Sequence, residues 1–96
     1  MSMPLARIQQ RLQELENWAL EGGNMIMKEY QFPSFEKAME FAVEVAKVAI
    51  EKNHHPAIMI DYTMVRLTLT THDEGALTDK DFVVAAAIDK IGKNDN

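Results

Sequence analysis

At 96 residues, 47% of them apolar, the chain is sized for one domain with a modest core, expected to span residues 1–96. Ten Lys and Arg against fifteen Asp and Glu leave a net charge of −5, the reverse of the balance that grips phosphate backbones, so nucleic acid is disfavoured as a direct ligand. No cysteine is present, which rules out disulfides and thiolate metal sites, and the stretch from Met1 to Leu20 is too polar for a signal peptide or a membrane span. A soluble, cytoplasmic protein is expected, and a core this small favours burial of further apolar surface between subunits.

Pro4 to Leu15 reads as a first helix, with Leu5, Ile8, Leu12 and Leu15 at helical spacing and proline tolerated in the first turn. Trp18 to Leu20 is short and apolar, and Gly22-Gly23-Asn24 is a turn signal. Met25 to Phe32 alternates as a strand, with Ile26, Lys28, Tyr30 and Phe32 on one parity. Pro33-Ser34 breaks it, and Ser34 is placed to cap a long helix from Phe35 to about Asn53. Phe35, Ala38, Met39, Ala42, Val45, Ala46 and Ala49 give that helix one stripe, and Phe41, Val43, Val48 and Ile50 widen it. Such a helix is expected to be covered on more than one side.

Asn53-His54-His55-Pro56 ends the helix, since proline turns the residue before it away from helical backbone. Ile58 to Thr71 is rich in strand formers but too long for one ordinary strand, so a hairpin is expected near Thr63-Met64. No Gly or Asn marks that turn. His72-Asp73-Glu74-Gly75 reads as a polar loop. Thr78 to Asp81 resembles a capping box with Asp in place of Glu, opening a helix to about Ile91 whose buried side is expected to carry Phe82, Val83, Ala86, Ala87 and Ile91. The tail from Lys93 to Asn96 is expected to fray. The order α-β-β-α-β-β-α predicts an α+β fold with helices on one face of a four-stranded antiparallel sheet.

All three histidines, His54, His55 and His72, fall in one nineteen-residue window. Imidazole is the side chain best suited to move protons near neutral pH, and several together can divide acid and base duties. His54 and His55 are adjacent, so their side chains must diverge. A metal reading exists, with His54, His55, His72 and Asp73 as ligands. Their spacing matches no familiar zinc pattern, and it ranks below proton transfer.

His54-His55-Pro56, then Tyr62, Val65, Leu69, Thr71-His72, Gly75, Leu77-Thr78 and Asp81 resemble the signature of the pterin-4a-carbinolamine dehydratases. The resemblance extends upstream through Trp18, Lys28, Tyr30, Phe32, Phe35, Ala38 and Phe41. It implies the α+β fold read above, assembly as a homodimer or homotetramer, and loss of water from 4a-hydroxytetrahydropterin to give quinonoid dihydropterin in tetrahydrobiopterin recycling. That reaction needs neither metal nor organic cofactor. The resemblance further implies His54, His55 and His72 as catalytic residues, and His54, His55, Pro56, Thr71, His72 and Asp81 as pterin-binding residues. Asp81 is equally suited to serve as the acid at a helix start, and Tyr62 is more readily a core residue than a stacking partner. One departure stands out. Many relatives carry Glu four residues before the first histidine, where this chain has Ile50, so a carboxylate that would orient the histidine pair is missing from that position. Two other readings remain open: a non-enzymatic interaction module of the dimerisation-cofactor kind, and a pterin-binding protein of another pterin pathway.

Overall fold

The computed structural model describes residues 3–94. Helix α1 (Leu5–Gln13) is followed by strands β1 (Ala19–Glu21) and β2 (Met25–Gln31), helix α2 (Phe35–Lys52), strands β3 (Ala57–Asp61) and β4 (Met64–Leu69), a single 3-10 turn at His72–Glu74, and helix α3 (Asp79–Asn94). The strands form one antiparallel sheet in the order β1-β2-β4-β3. This is the α+β fold expected, in the expected element order. The 3-10 turn lies where a polar loop was expected. Of the tail expected to fray, Lys93 and Asn94 continue α3, and the remainder lies outside the described residues.

Parity along the strands decides which face carries the helices. Ile26 on β2 and Val65, Leu67 and Leu69 on β4 are wholly buried, and they meet Phe41 and Val45 of α2 and Phe82, Val84, Ala85 and Ile88 of α3 in one core. The alternate residues, among them Met27, Glu29, Arg66 and Met59, face the other side, where Glu29 and Arg66 pair across the strands at 2.6 Å. Ser34 caps α2 as expected, its hydroxyl accepting from the Lys37 amide at 3.1 Å. Asn53 ends that helix in left-handed backbone.

Three expectations are corrected. The buried face of α3 is not Val83 and Ala86, which are exposed, but Asp81, Phe82, Val84, Ala85, Ile88 and Asp89. Residues 82–88 are all apolar, so hydrophobic spacing cannot set the phase of this helix. Its phase is set by two buried carboxylates, Asp81 and Asp89, turned inward. Tyr62 is 73% exposed and not part of the core. It occupies the first position of the two-residue β3–β4 turn with φ of 53°, a conformation costly for a bulky side chain, and the turn falls one residue before the expected place. Finally, within this one chain α2 is covered on one side. Phe35, Met39, Val43 and Ile50 form an exposed apolar stripe along its outer face.

Asp89 organises the far end of α3. Its carboxylate accepts from Trp18 Nε1 at 2.9 Å, Lys28 Nζ at 3.0 Å and the Glu16 amide at 3.0 Å, tying the α1–β1 connection and β2 to the helix. The buried Lys28 ammonium lies 4.6 Å from the Tyr30 ring centroid. Burial works against its charge, but Tyr30 and Asp89 outweigh that and leave its pKa raised. Burial likewise raises the pKa of the Tyr30 phenol, although Lys28 opposes it. Both groups therefore hold their protons more tightly folded than unfolded. Their contribution is fully present below the unfolded values, near pH 10, and is lost as pH rises through the folded ones. Urea unfolding followed from pH 8 to 11 should show stability declining above about pH 10, and Lys28→Met should flatten that decline.

Candidate active site

The two histidine-bearing segments converge on one buried carboxylate. His54 follows the left-handed Asn53, and its backbone amide still bonds back to the Ala49 carbonyl at 3.1 Å. This turns the His54 side chain toward the start of α3, where Nε2 lies 2.6 Å from Asp81 Oδ1. The other oxygen, Oδ2, accepts from the Thr71 hydroxyl at 2.8 Å and from the Thr78 amide at 3.0 Å. Thr71 thus donates its only hydroxyl proton to Asp81. The Thr78 hydroxyl, 2.8 Å from that of Thr71, must then donate to it, while accepting from the Lys80 amide at 3.3 Å.

The expected capping box is present and has a second use. Asp81 satisfies the orphan amide at the start of α3, as such a residue should, yet its outer oxygen is directed at an imidazole from a different segment. Asp81 is wholly buried, so it reaches a ligand only through His54 and Thr71. An ionised carboxylate can only accept, which places a proton on His54 Nε2 and fixes both tautomer and ring plane. His54 itself is nearly enclosed, with 12% of its side chain exposed.

His55 and His72 are differently placed. Both are exposed, His55 beyond the turn that ends α2 and His72 opening the 3-10 turn immediately after Thr71. Thr71 pairs with Ala76 across this turn, which closes on Gly75 in left-handed backbone with φ of 62°. A cleft of about 370 Å³ opens beside it, lined by Thr71, Asp73, Glu74, Thr78, Asp79 and Lys80. Pro56 is half-buried beneath His55 in sequence, at the entry to β3. Among the described residues no cluster of His, Asp and Glu is arranged to hold a metal ion.

Ile50, the departure noted in the sequence, is 70% exposed and belongs to the outer stripe of α2. The carboxylate in contact with His54 is that of Asp81, itself part of the family signature. Thr78 was not singled out as a site residue from the sequence. It stood in the family signature and in the capping box, but the capping box discloses a helix start and not what the capping carboxylate touches on its other side.

Residues 1–91 match the family model described as pterin 4 alpha carbinolamine dehydratase. A Chloroflexus aggregans protein named "Putative pterin-4-alpha-carbinolamine dehydratase" is 45% identical over 86 residues, 90% of this chain and 92% of that one. A Sulfolobus acidocaldarius protein of the same name is 40% identical over 88% of this chain and 91% of its own. Among solved structures, a transcriptional coactivator/pterin dehydratase from Brucella melitensis superposes with a TM-score of 0.88 at 27% identity, covering 95% of this chain and 98% of that one. A pterin dehydratase-like RuBisCO assembly factor of the alpha-carboxysome shares the fold, with a TM-score of 0.65 at 23% identity over 78% of this chain and 88% of its own. With the match running through both histidine segments and the Asp81 helix, the chain belongs to the pterin-4a-carbinolamine dehydratase family.

Proposed function

We propose that the protein is a 4a-hydroxytetrahydrobiopterin dehydratase, a hydro-lyase of tetrahydrobiopterin recycling, formed as one domain over residues 1–96 and working in the cytoplasm. The observation that carries this reading is the shared Asp81 carboxylate, which draws the His54-His55 and Thr71-His72 segments together. In the reaction the C4a–O bond breaks and the hydroxyl leaves as water, taking a proton from an acid. A base removes the proton of the neighbouring ring nitrogen, and a C=N bond forms. Two accessible imidazoles suit those duties, and His55 and His72 are the exposed pair. His54, held by Asp81, orients the site and contacts the pterin with its remaining edge. Pro56 and Thr71 shape the pocket, and Asp81 acts from beneath. No cofactor is needed for this elimination.

A homodimer or homotetramer is part of the proposal. Two surfaces support it: the apolar stripe of α2, and the outer edge of β3, where Ile58 and Met59 are 38% and 42% exposed and one row of backbone groups lacks a strand partner in the sheet. The test of the reaction is direct. Added to 4a-hydroxytetrahydropterin generated in situ, the protein should speed appearance of the quinonoid absorbance well beyond the buffer rate. A trace that matches buffer at micromolar protein would refute the enzymatic reading and leave a non-catalytic pterin-binding or interaction module.

A further inference from the structure

Asp81 must sit within a fraction of an ångström of its place to hold His54 at 2.6 Å, yet it belongs to the first turn of a helix. First turns lack half of their intrahelical hydrogen bonds and open easily. Something outside α3 should therefore pin that turn. The side chain placed to do so is Arg11, near the end of α1. Its Nη1 lies 2.5 Å from Asp79 Oδ1, and its guanidinium carbon lies 5.0 Å from the centroid of the buried Phe82 ring. Asp79 and Phe82 flank Asp81 in the same turn. The Arg11 side chain is only one-fifth exposed, and its guanidinium is itself steadied by Glu14 at 3.3 Å. Arg7 approaches Asp79 more loosely, at 3.9 Å.

The arm that carries Arg11 is fixed at both ends. Ile8 is buried in the core, and beyond α1 the Glu16 amide and Trp18 indole bond to Asp89. Asp79 and Asp89 lie ten residues apart on one helix, about 15 Å along its axis. The arm from α1 to β1 is thus strapped along α3, with Arg11 at the end nearest the site. A planar cation held between a carboxylate and a ring face resists both sliding and tilting in a way that a lone surface ion pair does not.

We propose that Arg11 is a positioning residue of the active site, clamping the first turn of α3 so that Asp81 holds His54 in its working orientation. The effect on rate rests on the dehydratase reading above, whereas the effect on the imidazole depends on geometry alone. The test compares Arg11→Ala, Arg11→Lys and Gln10→Gly, the last loosening the exposed face of α1 without touching the clamp. Arg11→Ala should lower kcat about tenfold with KM within about twofold, as expected for a misplaced catalytic constellation. Long-range proton–nitrogen NMR of the His54 ring should show the Nε2–H signal displaced or broadened in Arg11→Ala, partly restored in Arg11→Lys and unmoved in Gln10→Gly. A wild-type His54 signal in Arg11→Ala, or an equal displacement in Gln10→Gly, would overturn the assignment. A displaced signal in a protein with no turnover would uphold the clamp and sink the dehydratase reading instead.

Discussion

Asp81→Asn is expected to lose activity and stability together, whereas His55→Ala and His72→Ala should lose activity alone. The reason is a count of protons. Three donors converge on the Asp81 carboxylate: His54 Nε2, the Thr71 hydroxyl and the Thr78 amide. An asparagine offers one acceptor oxygen; turned to Thr71 and Thr78, it leaves an NH2 group facing His54 Nε2, a mismatch relieved only if the imidazole moves its proton to Nδ1. At a wholly buried position that mismatch, added to the lost charge, should cost about 3 kcal/mol. The rate should fall on the order of a hundredfold, because the His54 tautomer and ring plane are no longer fixed. The His55 and His72 side chains are exposed and make no hydrogen bond among those described, so their removal should change stability by no more than about 0.5 kcal/mol. Loss of either as acid or base should also slow the reaction on the order of a hundredfold. Urea titrations beside initial rates for the three variants would check the pattern. Full activity in either histidine variant would remove that residue from the chemistry.

The second large effect is expected at the opposite end of α3. Asp89→Ala should destabilise the protein by about 3–5 kcal/mol, since it leaves the Lys28 ammonium buried with an aromatic face as its remaining described partner. Lys28→Met should cost clearly less, because Asp89 would keep two N–H donors, from Trp18 and Glu16. Adding Lys28→Met to Asp89→Ala should then recover part of the loss, on the order of 2 kcal/mol, a coupling visible in a double-mutant cycle. Strict additivity of the two changes would show that water reaches Lys28 in the folded protein.

The fold was legible wherever a local rule applied. Ser34 capped α2, the glycines of the first hairpin carried positive φ, and the parity of β2 put Ile26 and Lys28 on the buried face. It was illegible where an outcome depended on partners distant in sequence. The apolar run from Phe82 to Ile88 contains no phase information, and its orientation came from Asp81 and Asp89 finding donors 27 and 61 positions away, in His54 and Lys28. The β3–β4 turn was hidden because no glycine marks it: Tyr62 takes the left-handed backbone instead, a strain the pairing on either side must offset. The three histidines were visible as a cluster. Their unequal status was not, since nothing local separates an enclosed His54 from its exposed neighbour His55.

The free edge of β3 has a consequence for the newly made chain. Ala57 to Asp61 is a stretch about 17 Å long with a single charge, at its far end, and its outer hydrogen-bonding row is open to any passing strand. If two folded copies were to join in register at this edge, incomplete copies could equally join there without limit. The sequence confines that hazard. Pro56 cannot donate to a growing ladder, and Asp61 disfavours stacking of like strands at the other end. Between them only four residues are adhesive, a span short enough to discourage a fibre.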